Sequence, residues 1–159
     1  VRSKALEGWF ATDAPATTVL IRLLVGWVFL SEGIQKFVYP EALGAGRFAK
    51  IGIPAPEVMG PFVGVVEILF GALVLLGLAT RPAGVAILST KIPILLGRGF
   101  GPFALPTLPR YGFWSMLHEA RTDFSMVLGL LFLLIEGAGP WSVDARLAGV
   151  LFLRGEGRG

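Results

Sequence analysis

Two apolar stretches, each long enough to cross a bilayer, constrain this chain more than any other feature. The first runs over 17–39 and stops at Pro40; the second runs over 57–79 and stops at Thr80, Arg81 and Pro82. About 20 helical residues cross a hydrocarbon core of about 30 Å, so each stretch can span as one helix. A third, 83–100, is shorter and carries Pro93, which lacks a backbone donor and is expected to bend or break it. A fourth covers 114–137. Only 16% of the 159 residues are charged, against about 25% in a soluble domain, and mean hydropathy is +0.73. The expectation is a single all-α membrane domain over 1–159: a polytopic four-helix bundle.

The connections refine this picture. The segment GRGFGPFALPTLPRYGFW is too rich in Pro, Gly and aromatics to span, and is expected to form an irregular interfacial cap between the third and fourth helices, with Tyr111 and Trp114 at the membrane surface. After GAGP, the stretch 141–153 reads as a short amphipathic helix on the membrane, capped by Ser142 or Asp144. An Arg81–Asp144 bridge is expected on that side. Arg2 and Lys4 precede the first stretch as they would in a secretory signal, but its length and the three stretches behind it read as a retained span. Lys and Arg divide evenly between the two sides, so the bias toward cytoplasmic positive charge decides little. The short Thr80 to Pro82 loop and the basic tails favour cytoplasmic termini in a plasma-membrane protein.

Zero cysteines and one histidine exclude whole classes of chemistry within this chain. A thiolate nucleophile, a disulfide relay, a Cys-ligated cluster or a haem held between two of its own histidines cannot be built. No metal site is expected. A net charge of +3 with scattered basic residues argues against nucleic acid.

What remains is a set of ionisable residues inside apolar segments, where their cost makes each a functional hypothesis. At about 100° per residue, Arg22, Gly26, Phe29, Glu32, Gly33 and Lys36 share one stripe of the first helix, expected to face the interior. Glu32 and Lys36 are spaced i, i+4 in the favourable order for an ion pair; snorkelling of Lys36 to the interface is the alternative. Glu67 lies mid-span on a line with Gly60, Gly64 and Gly71, so it should be buried and either protonated or paired. Lys91 on the third helix falls at a similar depth, and a structural Glu67–Lys91 pair competes with a ligand-binding role. In HEARTDF (118–124), His118 shares a strip about 60° wide with Thr122, Ser125, Gly129 and Glu136 if the helix is continuous from Phe113. That strip would turn His118 inward toward Glu32 and Lys36, leaving Glu119, Arg121 and Asp123 for the rim, the cap or a partner. Alternatively Thr122 or Asp123 caps a helix starting after 122.

The ordered pieces RLLVGWVFLSEGIQKF, GRFAKIGIP, VGVVEILFGALVLLGLATR and HEARTDFSMVLGLLFLLIEGAGPWSVDA resemble the DoxX family of small four-helix membrane proteins over about 20–147. The matching positions are Arg22, Gly33, Lys36, Glu67, Gly77, Arg81 and the WSVD at 141–144. Relatives include small membrane subunits of terminal quinol oxidase and thiosulfate:quinone oxidoreductase, alongside many members with no known activity. The resemblance implies a membrane subunit near quinone chemistry, without establishing catalysis by the chain itself. Having no cofactor of its own, the chain would act through a bound quinone or a soluble or membrane redox partner. Glu32, Lys36, Glu67, Lys91 and His118 are the candidate ligand-binding residues. Arg22, Arg81, Glu119, Arg121, Asp123 and Asp144 are the candidate structural or partner-contact residues. A non-catalytic scaffold for a soluble partner, and a protein that binds or transports lipid or a small molecule, are the competing readings. The small-residue GPFVG face could serve a homo-oligomer instead of the bundle.

Overall fold

The computed structural model describes residues 12, 14–50, 52–97 and 113–156, with 91–97, 113–120 and 151–156 described by backbone alone. Among these residues every regular element is a helix: α1 (Thr18–Val38), α2 (Ala45–Lys50), α3 (Pro56–Leu76), α4 (Thr80–Gly97), α5 (Phe113–Glu136) and α6 (Val143–Glu156). Helices α1 and α3 are long and apolar enough to cross a membrane. The interfacial cap expected over 98–112 lies outside the described residues.

Helix limits follow local chemistry. Pro56 occupies the first turn of α3, where its missing N–H has no intrahelical partner to lose. The helix ends at Gly77, whose φ of +66° supplies the left-handed residue that closes it; Gly77 N–H donates to Val74 O and Leu78 N–H to Leu73 O. Helix α4 then starts at Thr80, earlier than the expected 83, because Pro82 is tolerated in a first turn. It runs through Pro93 without the expected interruption. Helix α5 is continuous across HEARTDF, so neither Thr122 nor Asp123 caps it. The short helix α2, unforeseen from the sequence, folds back on the start of α3 and buries Phe48.

The most extensive contact joins antiparallel α1 and α3. It depends on glycine at matched positions. A Cβ at Gly33 would stand 2.7 Å from the Gly64 carbonyl oxygen, and one at Gly71 would stand 2.8 Å from the Leu30 nitrogen. The two backbones therefore touch where larger residues would hold them apart. Helix α4 packs on α3 and α5, and α5 returns to α1. These four helices share one core of Val25, Phe29, Val74, Ile87, Leu88, Met126, Leu130 and Leu133. The buried strip of α5 is thus Met126, Leu130 and Leu133, whereas Thr122, Ser125 and Glu136, expected inside, are exposed. Outward faces carry Leu20, Leu24, Trp27, Phe62, Val65 and Leu69, as a surface in contact with lipid requires.

Gly33→Ala should force α1 and α3 apart and lower stability by about 1–3 kcal/mol, the usual cost of overpacking, read as a drop in thermal midpoint in detergent. Gly149→Ala, where a Cβ meets nothing within 4 Å, should leave it unchanged. Equal midpoints for both variants would rule out close backbone approach as the basis of this interface.

Candidate functional site

Two polar assemblies occupy opposite ends of the α1–α3 contact. Near the chain termini, Arg22 is 3% exposed. Its Nε donates to Val74 O (3.1 Å) and Nη2 to Leu75 O (2.7 Å), while Nη1 donates to both Ala138 O (3.1 Å) and Trp141 O (2.6 Å). The first two acceptors are C-terminal carbonyls of α3, at the negative end of the helix dipole; Val74 O also accepts from Gly77 N–H. A guanidinium has the planar spread of donors to serve both segments at once.

Asp144 performs the complementary task. It is 1% exposed, and its two carboxylate oxygens accept from Ala79 N–H (2.7 Å) and Thr80 N–H (2.9 Å), the unpaired donors where α4 begins. Its own N–H donates to Gly77 O at 2.8 Å. The expected Arg81–Asp144 bridge is replaced by these bonds, and Arg81 instead donates to Leu134 O (2.9 Å) and Ile135 O (3.0 Å) at the end of α5. Charge was read correctly at this corner, but its partners are helix ends. Ser142 caps α6 as expected, accepting from Ala145 N–H at 3.1 Å. Thr12, which the sequence reading passed over, accepts from Gly139 N–H (2.8 Å) and donates to Glu136 O (3.2 Å).

Deeper in the molecule, Lys36 of α1 and Glu67 of α3 form an ion pair, with Nζ 2.5 Å from Oε2. The side chain of Glu67 is fully buried and that of Lys36 is 10% exposed. Lys36 lies near the end of α1, yet it does not snorkel outward. Side chains lean toward a helix's N-terminus, and for Lys36 that direction leads to the level of Glu67. Its ammonium also lies 3.5 Å from the Glu32 backbone carbonyl, so the partner it finds on its own helix is that carbonyl and not the Glu32 carboxylate. Glu32 itself is half-buried. The structure therefore joins two of the five candidate ligand residues through a pairing that spacing along one helix could not reveal. The side chains of Lys91, His118 and Glu119 lie outside the described residues. Arg121 is exposed and Asp123 half-buried on α5.

A separate cavity of about 860 Å³ lies between α2, α3 and α4. Val63, Val66 and Phe70 of α3 form one wall, and Ala86, Ser89 and Thr90 of α4 the other. Neither Lys36 nor Glu67 lines it. Helix α3 is apolar on nearly every face, so no periodicity in the sequence distinguishes this wall from its lipid-facing neighbours. Among the described residues, no cluster of three or more His, Asp or Glu could hold a metal ion.

Arg22→Lys keeps the charge but cannot reach carbonyls on two segments. It should lower stability by about 2 kcal/mol or more, as lost charged hydrogen bonds do, whereas Arg146→Lys on the exposed face of α6 should be silent. Thermal unfolding of the two variants decides the point; an unaffected Arg22→Lys midpoint would mean that charge alone holds the corner. For the deeper pair, Lys36→Met or Glu67→Leu alone strands a buried charge and should cost about 3 kcal/mol or more. The double variant should recover at least half of that loss in the same assay. Additive losses would show that the two side chains are not energetically coupled.

The DoxX family model matches residues 17–97, which include α1 to α4. The chain is 54% identical over 144 residues to the "Uncharacterized membrane protein Rv3486" of Mycobacterium tuberculosis (strain ATCC 25618 / H37Rv), covering 86% of this chain and 84% of that one. It is 34% identical over 79 residues to a Bacillus subtilis (strain 168) protein named "Putative oxidoreductase CatD", covering 50% of this chain and 57% of that one. No solved structure matches it. Arg22, Gly33, Lys36, Glu67, Gly77 and Arg81, the positions that carried the resemblance in the sequence, all fall within the matched region, and the chain belongs to the DoxX family of membrane proteins.

Proposed function

We propose that this protein is the integral membrane subunit of a quinone-linked oxidoreductase, and that the quinone headgroup binds at the Lys36–Glu67 pair. All four long helices cross the plasma membrane in this reading, with the termini on the cytoplasmic side. Helices of 18 and 24 residues are about 27 and 36 Å long at about 1.5 Å per residue, which suits α4 and α5 to the crossing made by α1 and α3.

The observation that carries the proposal is the state of the Lys36 ammonium. A lysine ammonium has three donors, and here one meets Glu67 and a second makes only the long contact with Glu32 O. A further donor remains for a ligand acceptor. A quinone carbonyl is such an acceptor, and its ring suits apolar surroundings. Glu67, held at the level where the ring would sit, can relay protons, each taken up by the carboxylate before it is given to a reduced ring oxygen. The name of the Bacillus subtilis relative points to the same broad chemistry. Electrons must come from elsewhere, because the chain holds no cysteine and one histidine. A partner subunit supplies two electrons, and two protons complete the quinol.

A soluble ubiquinone analogue titrated into the purified protein in detergent should raise the thermal midpoint saturably. Lys36→Ala should abolish the rise, and His118→Ala should do so if His118 is the second headgroup contact. If wild type shows no saturable rise, the quinone reading fails and the protein is better understood as a scaffold for a soluble redox partner.

A further inference from the structure

We propose that the cavity between α3 and α4 is a binding site for one acyl chain of a bilayer phospholipid, entered sideways from the leaflet on the α2 side. Its shape, chemistry and position each bear on this, and none depends on the quinone reading.

The floor is buried, with Val63 at 1% and Phe48 at 3% exposure, whereas the edges at Phe62 and Ser89 are exposed. The opening is therefore lateral, on the face that also presents Val58, Val65 and Leu69. Since the chain is a membrane protein, this face is continuous with the surface that meets lipid. The apolar lining of a groove of about 860 Å³ gains dispersion contacts with whatever packs into it, and at a lateral opening in a bilayer that material is hydrocarbon.

The hydroxyls in the wall specify the chemistry further. Ser89 Oγ donates to Ala86 O at 2.7 Å and Thr90 Oγ1 to Ile87 O at 2.8 Å. Both donors turn back to their own helix, so the groove presents no hydroxyl hydrogen to an occupant. A headgroup or a sugar would find no reward there; a methylene chain would lose nothing.

Length agrees. On α3 the lining extends from Met59 to Phe70, about 17 Å at about 1.5 Å per residue, close to half of a hydrocarbon core of about 30 Å. One leaflet's chain thus fits from its rim to the midplane. Short helix α2 and the turn before α3 close the outer end with Phe48, Ile53 and Pro54, which leaves the bilayer side as the way in. Glu67 sits one residue from Val66 and three from Phe70 on the same helix, so a bound chain also packs against the turn that holds the ion pair.

The test is native mass spectrometry of the delipidated protein in detergent, titrated with dioleoyl phosphatidylglycerol. Wild type should retain one phospholipid per chain. Ala86→Phe fills the groove and should weaken retention by about tenfold, the effect of displacing roughly two methylenes; Ser89→Leu, a milder filling, should weaken it less. Val85→Phe, on the exposed side of the same helix, should match wild type, and thermal midpoints confirm that each variant is folded. Retention by Ala86→Phe and Ser89→Leu equal to that of wild type would overturn the proposal. So would recovery, from membrane-extracted protein, of an isoprenoid quinone in the groove-dependent position instead of a phospholipid. Because the titrated phospholipid contains no quinone, unchanged retention by the two variants leaves the Lys36–Glu67 reading untouched, and failure of the analogue titration leaves the groove untouched.

Discussion

Backbone groups at a helix end cannot go unpaired in a water-poor setting, and in this protein one arginine resolves the hardest instance. Arg22 gathers Val74 O, Leu75 O, Ala138 O and Trp141 O, acceptors from segments more than 60 residues apart in the chain. Carbonyls left bare at that corner would each carry a desolvation penalty, which Val74 O escapes in part through Gly77 N–H. With them satisfied, α3 can end at Gly77 and reverse into α4 within a few residues, and Asp144 can take the freed N–H groups of α4. Arg81 repeats the device at the end of α5. The corner is thus a meeting of helix dipoles, each end answered by a side chain of opposite sign.

The tight turn in its turn fixes how α1 lies against α3. Arg22 and the glycines share one stripe of α1, so tying Arg22 to the end of α3 sets the register in which Gly26 and Gly33 meet Gly71 and Gly64. That register places Lys36 where its side chain can reach back to Glu67. A shift of one helical turn would move the pair by about 5.4 Å, more than the reach a lysine could recover while keeping its stem packed. The structural corner near the termini and the candidate site on the other side are therefore linked by rigid, close-packed backbone.

How much of this could be read from sequence depended on the kind of signal. Apolar length identified the two spans, and the helical stripe of Arg22, Gly26, Phe29 and Gly33 correctly named the buried face of α1, because lipid and core impose one-sided patterns. Partners across helices were harder. The Lys36–Glu67 pair was missed because Lys36 reaches Glu67 through side-chain length and lean, which residue counting ignores; the expected Glu67–Lys91 pair involves a side chain outside the described residues. On α5 the rule that polar residues avoid lipid turned Thr122 and Ser125 inward. The packing instead buries the neighbouring strip of Met126, Leu130 and Leu133, leaving Thr122 and Ser125 exposed in the middle of α5, where Ser125 Oγ turns back to donate to Arg121 O at 2.8 Å. Pro82 and Pro93 were taken as breaks, yet one lies in a first turn and the other is carried within α4. The groove left no trace in the sequence, since an all-round apolar helix gives no sign of which face has a gap beside it.

The two buried cations of α1 show why only one of them marks a candidate site. Arg22 distributes its donors over four backbone carbonyls, two at the end of α3 and two in the connection between α5 and α6; its chemistry is complete. Lys36 is held by one side-chain carboxylate and one distant mid-helix carbonyl, so its bonding can change while the helix ends stay paired. A buried ion pair gives little net stability compared with apolar packing of the same volume. The chain nevertheless places one in the middle of its most apolar span, beside glycines that permit no rearrangement of the backbone. Rigid backbone around an exchangeable charge is the combination a ligand or proton site needs, and it is the reason the functional reading rests on Lys36 and Glu67 and not on the more heavily bonded Arg22.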